Sequence, residues 1–124
     1  MNARPAQRNY LRELGFAYAT LVGLVWGLPL STGRVRVEEG LIVLTGLPHW
    51  AFRRGGTTVG RVYLTNDNDG PAVLRHERVH VEQWRRLGLW MPILYALAGR
   101  DPLKNRFEIE AGLADGGYLD RGRA

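Results

Sequence analysis

The chain has 124 residues, 45% of them hydrophobic, and a formal net charge of +5. This length fits one domain with a moderate core, and the composition is that of a globular protein, so we do not expect a disordered chain. The sequence contains no cysteine. A disulfide scaffold and a thiolate zinc site are therefore excluded, and a metal site must be built from His, Glu, Asp and water.

The positive charge is carried by 16 arginines and one lysine, which are scattered along the chain singly or in pairs. No DNA- or RNA-binding motif accompanies them, so we do not expect nucleic acid as a partner. An anionic membrane surface stays a candidate partner, because a long apolar segment lies near the start of the chain.

The apolar segment comprises residues 14–33, which carry no charge. A helix needs about 20 apolar residues to span a bilayer, but Pro29 and the residues after it weaken the last turn here. Two interpretations follow for residues 14–30: a helix that packs in a soluble core, or a membrane anchor. We expect an apolar N-terminal helix over residues 1–33 and a metal-binding domain over residues 34–124, in a protein that is either cytoplasmic or membrane-associated.

Small residues recur along this predicted helix at every fourth position, namely Gly15, Ala19, Gly23 and Gly27. Residues with this spacing share one face of a helix, where their small size permits another backbone to approach closely. The face therefore predicts close packing of this helix, either within the chain or with a second copy in an oligomer.

The segments that follow are typical of β-strands. Residues 34–38 alternate between polar and apolar side chains, and residues 40–45 and 57–65 are rich in aliphatic and β-branched residues. Turn-forming residues separate these segments, and a dense Asn, Asp and Gly cluster at residues 66–70 ends the last of them. Together with the helices, they predict an α+β fold with a short, mainly antiparallel sheet.

The next helix has clear signals at both ends. Pro71 suits the first helical position, because its φ is fixed near the helical value and its missing N–H is not needed there. Asp67 and Asp69 place negative charge near the N-terminus, which the helix dipole favours. We therefore predict a helix from Pro71 to Leu87, ended by Gly88. Its inward face, with a spacing of three and four residues, comprises Val73, His76, His80, Gln83 and Leu87.

This helix carries the pattern His76-Glu77-Arg78-Val79-His80, which holds two of the three histidines of the chain. Residues four apart lie on one helical face about 5–6 Å from each other, so two neutral imidazoles can bind one Zn²⁺ there. Glu77 is then placed to take a proton from a water at the metal. A catalytic zinc site needs a third protein ligand, and the last predicted helix, residues 105–118, offers Glu108 and Glu110. These two glutamates point to different helical faces, so at most one of them can face the metal.

Two segments resemble a known enzyme family: Leu74-Arg-His-Glu-Arg-Val-His-Val-Glu-Gln-Trp84 and Asn105-Arg-Phe-Glu-Ile-Glu-Ala111. They are similar to the small gluzincin-type zinc metallopeptidases, including the single-domain minigluzincins, and the resemblance covers about residues 57–118. Membrane zinc peptidases of the CAAX-protease and heat-shock type carry a comparable F-E-x-x-A segment. The resemblance implies a zincin-like fold, Glu108 as the third ligand of Zn²⁺ and Glu77 as the general base.

The resemblance also raises an expectation about the surroundings of the metal. In the membrane peptidases an aspartate often follows the alanine of the glutamate segment, whereas this chain has Gly112 there. Asp115, one turn later, could take its place. Gln83 lies one turn beyond His80 and either hydrogen-bonds the site or is a plain surface glutamine. The donors available to stabilise an oxyanion are Tyr95, Tyr118 and His49.

These residues favour a zinc-dependent metallopeptidase that hydrolyses a peptide or protein substrate. The strand at residues 57–65 resembles the edge strand to which an extended substrate adds. Two alternatives stay open: a metal-binding protein without turnover, and a membrane-anchored interaction module in which the H-E-x-x-H pattern is incidental.

Overall fold

The computed structural model describes residues 3–33, 35–48, 50 and 55–119, with the side chains of the first helix described from Tyr10 onward. Within these residues the α+β class is confirmed, with four helices and a four-stranded mixed sheet. In chain order the elements are α1 (Ala3–Gly27), β1 (Val35–Glu38), β2 (Leu41–Leu44), β3 (Gly56–Val59), β4 (Val62–Thr65), α2 (Pro71–Leu87), α3 (Trp90–Leu97) and α4 (Arg106–Ala111).

The sheet has the strand order β1-β2-β4-β3. β1 and β2 form an antiparallel hairpin, as do β3 and β4, while β2 and β4 run parallel in the middle, with Val43 beside Tyr63. The prediction of a mainly antiparallel sheet therefore holds for two of these three pairings. The central pair is parallel because the chain leaves β2, forms the edge strand β3 and then turns back into β4 alongside β2.

The prediction of a single strand at residues 57–65 is wrong, because the segment folds as the hairpin of β3 and β4. Its two-residue turn is Gly60-Arg61, and Gly60 has a φ of 64°. A positive φ at the first turn residue matches the twist of the flanking strands and is readily adopted by glycine. The turn places β3 at the edge of the sheet and leaves β4 fully buried in the middle.

The small-residue face of α1 packs against the sheet. Gly23 lies next to Val62, and a β-carbon on Gly27 would overlap the side chain of Leu64. Ala19, on the same face, is buried as well. Gly15, at the start of this face, lies against Gly88 and Leu89 of the loop after α2, so the close approach that the face permits is made within the chain. Contact with a second copy through this helix stays a prediction.

The opposite face of α1 is apolar and exposed. Leu14, Tyr18, Leu21 and Val25 have between 49% and 67% of their surface exposed. Among the helices of the described segments, none combines the length and the hydropathy needed to span a bilayer. Contact of this face with a membrane surface stays a prediction.

One buried cluster joins the helices to the sheet. Phe16 of α1 lies in it with Tyr63 of β4, Trp84 of α2, Met91 of α3 and Phe107 of α4. Since these five residues come from five elements, the position of each helix depends on the others. The apolar N-terminal helix thus contributes to the core of the domain that follows it.

α2 has the predicted bounds, and Gly88 ends it with a φ of 59°. It packs beside the edge strand β3 and contacts α1, α3 and α4. The predicted inward face is confirmed: three of its residues are buried and two are partly buried, namely His76, His80 and Gln83, then Val73 and Leu87. α2 is in addition covered on a neighbouring side, where Leu74, Glu77, Val81 and Trp84 are buried.

α4 is shorter than the predicted helix over residues 105–118. Gly112 takes a φ of 104°, which is outside the helical region, and the chain then continues in turns. At the other end, the side-chain oxygen of Asn105 accepts hydrogen bonds from the N–H groups of Phe107 and Glu108. The glutamate segment is therefore a six-residue helix with a defined cap at each end.

Candidate metal centre

α2 brings its two histidines together on the side that faces α4. His76 and His80 are 1% and 7% exposed, so both imidazoles are almost completely removed from water. Their Nε2 atoms lie 3.1 Å apart, and the ring centroids are 4.7 Å apart with the planes nearly perpendicular. This is the arrangement that the four-residue spacing of the motif predicts.

α4 supplies the carboxylate that meets these imidazoles. Glu108 is 3% exposed, and its Oε1 lies 2.9 Å from Nε2 of His76 and 3.1 Å from Nε2 of His80. Glu110 lies elsewhere: its Oε1 is 2.7 Å from Nε2 of Gln83 and 3.3 Å from the guanidinium of Arg86. Helical spacing was compatible with either glutamate facing the metal. In the structure, Glu108 is the one that faces the histidines.

The hydrogen bonds at the far side of each ring determine its tautomer. Nδ1 of His76 lies 2.8 Å from the carbonyl oxygen of Gly112, which can only accept, so Nδ1 carries the proton. Nδ1 of His80 lies 2.7 Å from Oε1 of Gln83. The amide nitrogen of Gln83 donates to the carbonyl of Phe107 and to Glu110, so its oxygen is the atom left to accept from His80. In both neutral rings Nε2 therefore presents a lone pair.

Two lone pairs and a carboxylate oxygen thus meet within hydrogen-bond distance and need a cation or a proton between them. At metal–ligand distances of about 2.0–2.2 Å, tetrahedral coordination separates neighbouring ligand atoms by about 3.3–3.6 Å. The separations of 2.9, 3.1 and 3.1 Å are shorter than this range, so the three ligand atoms would have to move apart slightly around an ion. By size and by chemistry, the cluster of His76, His80 and Glu108 could hold a metal ion.

The carboxylate of Glu108 favours its charged form. Burial opposes ionisation, but when a proton lies between the imidazoles and the carboxylate, the hydrogen bonds from His76 and His80, together with the one from the hydroxyl of Tyr95, outweigh it and hold the pKa of Glu108 well below its usual range. An ionised carboxylate is the form that binds a metal. The hydroxyl of Tyr95 donates to Oε2 of Glu108, so it orients the carboxylate from the side away from the histidines.

Glu77 is held apart from this cluster by the edge strand. Its Oε1 accepts a hydrogen bond of 2.7 Å from the hydroxyl of Thr58 on β3. Burial raises the pKa of Glu77, and the nearby His80 and the Thr58 hydrogen bond offset part of the rise. The carbonyl of Thr58 in turn accepts from the indole nitrogen of Trp84 at 2.9 Å, which ties β3 to α2.

A cavity of about 280 Å³ opens onto these groups. It lies between β3, the face of α2 that bears Glu77 and His80, and the start of α3, with Tyr118 also in its wall. Burial, together with the negative charges of Glu108 and Glu77, raises the pKa of Tyr118 to about 12, so this hydroxyl keeps its proton at neutral pH. The cavity therefore brings a carboxylate, a hydroxyl donor and the histidine cluster to one space.

The remaining site residues expected from the sequence have different positions. Asp115 forms an ion pair with Arg75 at 3.3 Å, and His76 is oriented by the carbonyl of Gly112 instead. At Nδ1 of His76, a main-chain carbonyl therefore takes the position expected for the carboxylate of Asp115. His49 lies outside the described residues. Thr58, which contacts Glu77, was missed, because a threonine in a strand has no distinguishing sequence signal.

The chain matches no protein-family model, no curated protein and no solved structure. The resemblance to gluzincin-type peptidases thus depends on the motif residues alone and stays a prediction.

Proposed function

We propose that the protein is a zinc-dependent metallopeptidase, with His76, His80 and Glu108 as metal ligands and Glu77 as general base. The observation that carries the proposal is the meeting of two Nε2 lone pairs and one carboxylate in a buried cluster. A second carboxylate, Glu77, faces the cavity beside this cluster. Burial of two lone pairs and two carboxylates raises the free energy of the folded state unless a cation binds to them.

The donor set favours zinc. Two neutral imidazoles and one carboxylate form a His₂Glu set, which is typical of catalytic zinc sites that keep one position open. Bound there, Zn²⁺ supplies Lewis acidity, which polarises a carbonyl oxygen and makes a water molecule more acidic. The open side is the cavity, because the other sides of the cluster are closed by α4, Gln83 and the residues around Gly112.

The chain's own residues would move the proton and orient the substrate. Glu77 accepts a proton from the attacking water on its carboxylate and returns it to the leaving nitrogen. The hydroxyl of Thr58 holds the carboxylate of Glu77 in position for both steps. Tyr118 is the better candidate to donate to a developing oxyanion, since the hydroxyl of Tyr95 is engaged by Glu108.

The edge strand β3 supports a peptide as substrate. It lies at the border of the sheet and lines the cavity, so an extended peptide could pair with it next to Glu77. The carbonyl of Thr58 already accepts one hydrogen bond from Trp84, so it has one lone pair left for the main chain of an added strand.

The test combines metal analysis with hydrolysis of a quenched fluorescent peptide library. We expect one zinc ion per chain in the wild type and in Glu77→Gln, together with a loss of hydrolysis of about 10²–10⁴-fold in the variant. Glu82→Gln is the matched control, because Glu82 lies on the same helix with its side chain 65% exposed. Wild-type protein without stoichiometric zinc, or Glu77→Gln with full activity, contradicts the proposal. Zinc binding without any hydrolysis would instead indicate a metal-binding protein without turnover.

A further inference from the structure

We propose that Glu110 and Gln83 form a relay that holds His80 in the tautomer required for metal binding. Neither residue contacts the atoms that would bind the ion; both act through His80 and are positioning residues. The inference rests on the metal site of the proposed function, but it concerns side chains whose role that proposal leaves open.

The relay depends first on the side-chain amide of Gln83, which is fully buried. Gln83 is 0% exposed, and its Nε2 donates to the carbonyl of Phe107 at 3.0 Å and to Oε1 of Glu110 at 2.7 Å. If the amide were turned round, its oxygen would face two acceptors. The main chain and a carboxylate of α4 thus determine which end of Gln83 faces His80.

The second step is the choice between two tautomers of His80. The carboxylate of Glu108 lies 3.1 Å from Nε2, and by itself it would favour a proton on that atom, which excludes a metal. Oε1 of Gln83 lies 2.7 Å from Nδ1 and favours a proton there instead. The relay therefore opposes the tautomer that Glu108 prefers and keeps the Nε2 lone pair available.

Glu110 strengthens this effect from a distance. A hydrogen bond to a carboxylate is stronger than one to a neutral acceptor, and it polarises the donor amide, so the oxygen of Gln83 becomes a better acceptor. Arg86 approaches the same Oε1 of Glu110 at 3.3 Å from the surface. Metal-binding histidines are often oriented by a carboxylate in direct contact. Here the amide of Gln83 lies between His80 and the carboxylate of Glu110. The negative charge of Glu110 therefore stays at the half-exposed surface, outside the cluster that contains Glu108.

The alternative is that Gln83 and Glu110 merely join α2 to α4. Such a brace would affect stability but not the position of the proton on His80. The chain has three histidines, so ring-nitrogen chemical shifts of the isotope-labelled, metal-free protein can be assigned to each of them. At a pH at which the rings are neutral, we expect the proton of His80 on Nδ1 in the wild type and on Nε2 in Gln83→Met.

The second measurement is zinc affinity by competition with a chromophoric chelator. We expect Glu110→Ala and Gln83→Met to bind zinc about 10–100-fold more weakly. Glu82→Ala is the matched control, since Glu82 is an exposed carboxylate of α2 paired with Arg85. In the double variant Gln83→Glu/Glu110→Gln the carboxylate and the amide exchange places, which again offers His80 an acceptor, and most of the affinity should return.

The proposal is overturned if Glu110→Ala, which alters a half-exposed residue and should fold, leaves both the tautomer of His80 and the zinc affinity unchanged. Lower thermal stability of Gln83→Met with the proton of His80 still on Nδ1 would assign both residues to a brace and overturns the proposal as well. A wild type that binds no zinc would contradict the proposed metal site, while the tautomer measurement would still decide whether the relay acts.

Discussion

Removal of the Asn105 side chain tests how α4 is held against α2. Asn105 is 1% exposed, its oxygen accepts from the N–H of Phe107 at 2.9 Å, and its amide nitrogen donates to the carbonyl of Gly99 at 2.9 Å. Loss of an N-cap costs about 1 kcal/mol, and loss of one well-formed hydrogen bond costs about as much again. We therefore expect Asn105→Ala to lower the free energy of unfolding by about 2 kcal/mol.

The matched variant is Asn105→Ser, which keeps a capping oxygen and loses the amide donor, so we expect a loss of about 1 kcal/mol. Urea denaturation of the metal-free protein measures both values, and 2 kcal/mol corresponds to a fall in Tm of roughly 8 °C for a chain of this size. The cap also orients the first turn of α4, which bears Glu108. Zinc affinity should therefore fall about tenfold in Asn105→Ala and less in Asn105→Ser.

Two results would refute this reasoning. If Asn105→Ala unfolds within about 0.5 kcal/mol of the wild type, the cap contributes nothing that water cannot replace. If the variant is destabilised but binds zinc as tightly as the wild type, the cap does not orient Glu108. Packing of Phe107 in the core would then be sufficient to hold the carboxylate in place.

Three further predictions concern the packing of α1, the general base and the metal. Gly27→Ala should lower the free energy of unfolding by about 1–2 kcal/mol in urea denaturation, because the added methyl group overlaps Leu64 and this outweighs the gain in helix propensity; a stabilised variant would contradict the observed packing. Thr58→Val should reduce peptide hydrolysis about tenfold with unchanged zinc content, since it removes the hydrogen bond to Glu77, whereas the control Glu82→Gln, away from the cavity, should have little effect; equal activities would show that Thr58 does not position the base. Removal of zinc by a chelator should lower the free energy of unfolding of the wild type by about 2.7 kcal/mol relative to protein with zinc at 100 times its Kd. If zinc removal destabilised His80→Ala by the same amount, the ligand set would be contradicted.

Features with local causes could be predicted from the sequence. The bounds of α2 follow from Pro71 at its start and Gly88 at its end, and the proximity of His76 to His80 follows from helix geometry alone. The buried face of α1 follows from the four-residue spacing of its small residues. In each case the signal and its consequence lie within one element, so no knowledge of its neighbours is needed.

The hairpin of β3 and β4 shows where a local pattern is ambiguous. The apolar and β-branched residues continue on both sides of Gly60, so residues 57–65 are as compatible with one long strand as with two short ones. Pairing decides between them, because β4 reaches β2 in the centre of the sheet after the chain has turned. The turn also places Thr58 opposite Glu77, a contact that depends on two elements at once.

By itself, the sequence determined the motif helix, its two imidazoles and the carboxylates available as partners, since residue type and helical spacing are local properties. Helical spacing could not choose between the two glutamates, and only the resemblance pointed to Glu108. The tertiary structure decided that Glu108 meets the histidines while Glu110 meets Gln83, because the packing and capping of α4 set which of its faces meets α2. It alone decided, too, that the carbonyl of Gly112 orients His76. Every residue has a carbonyl group, so the one that accepts this hydrogen bond is defined by the path of the folded chain.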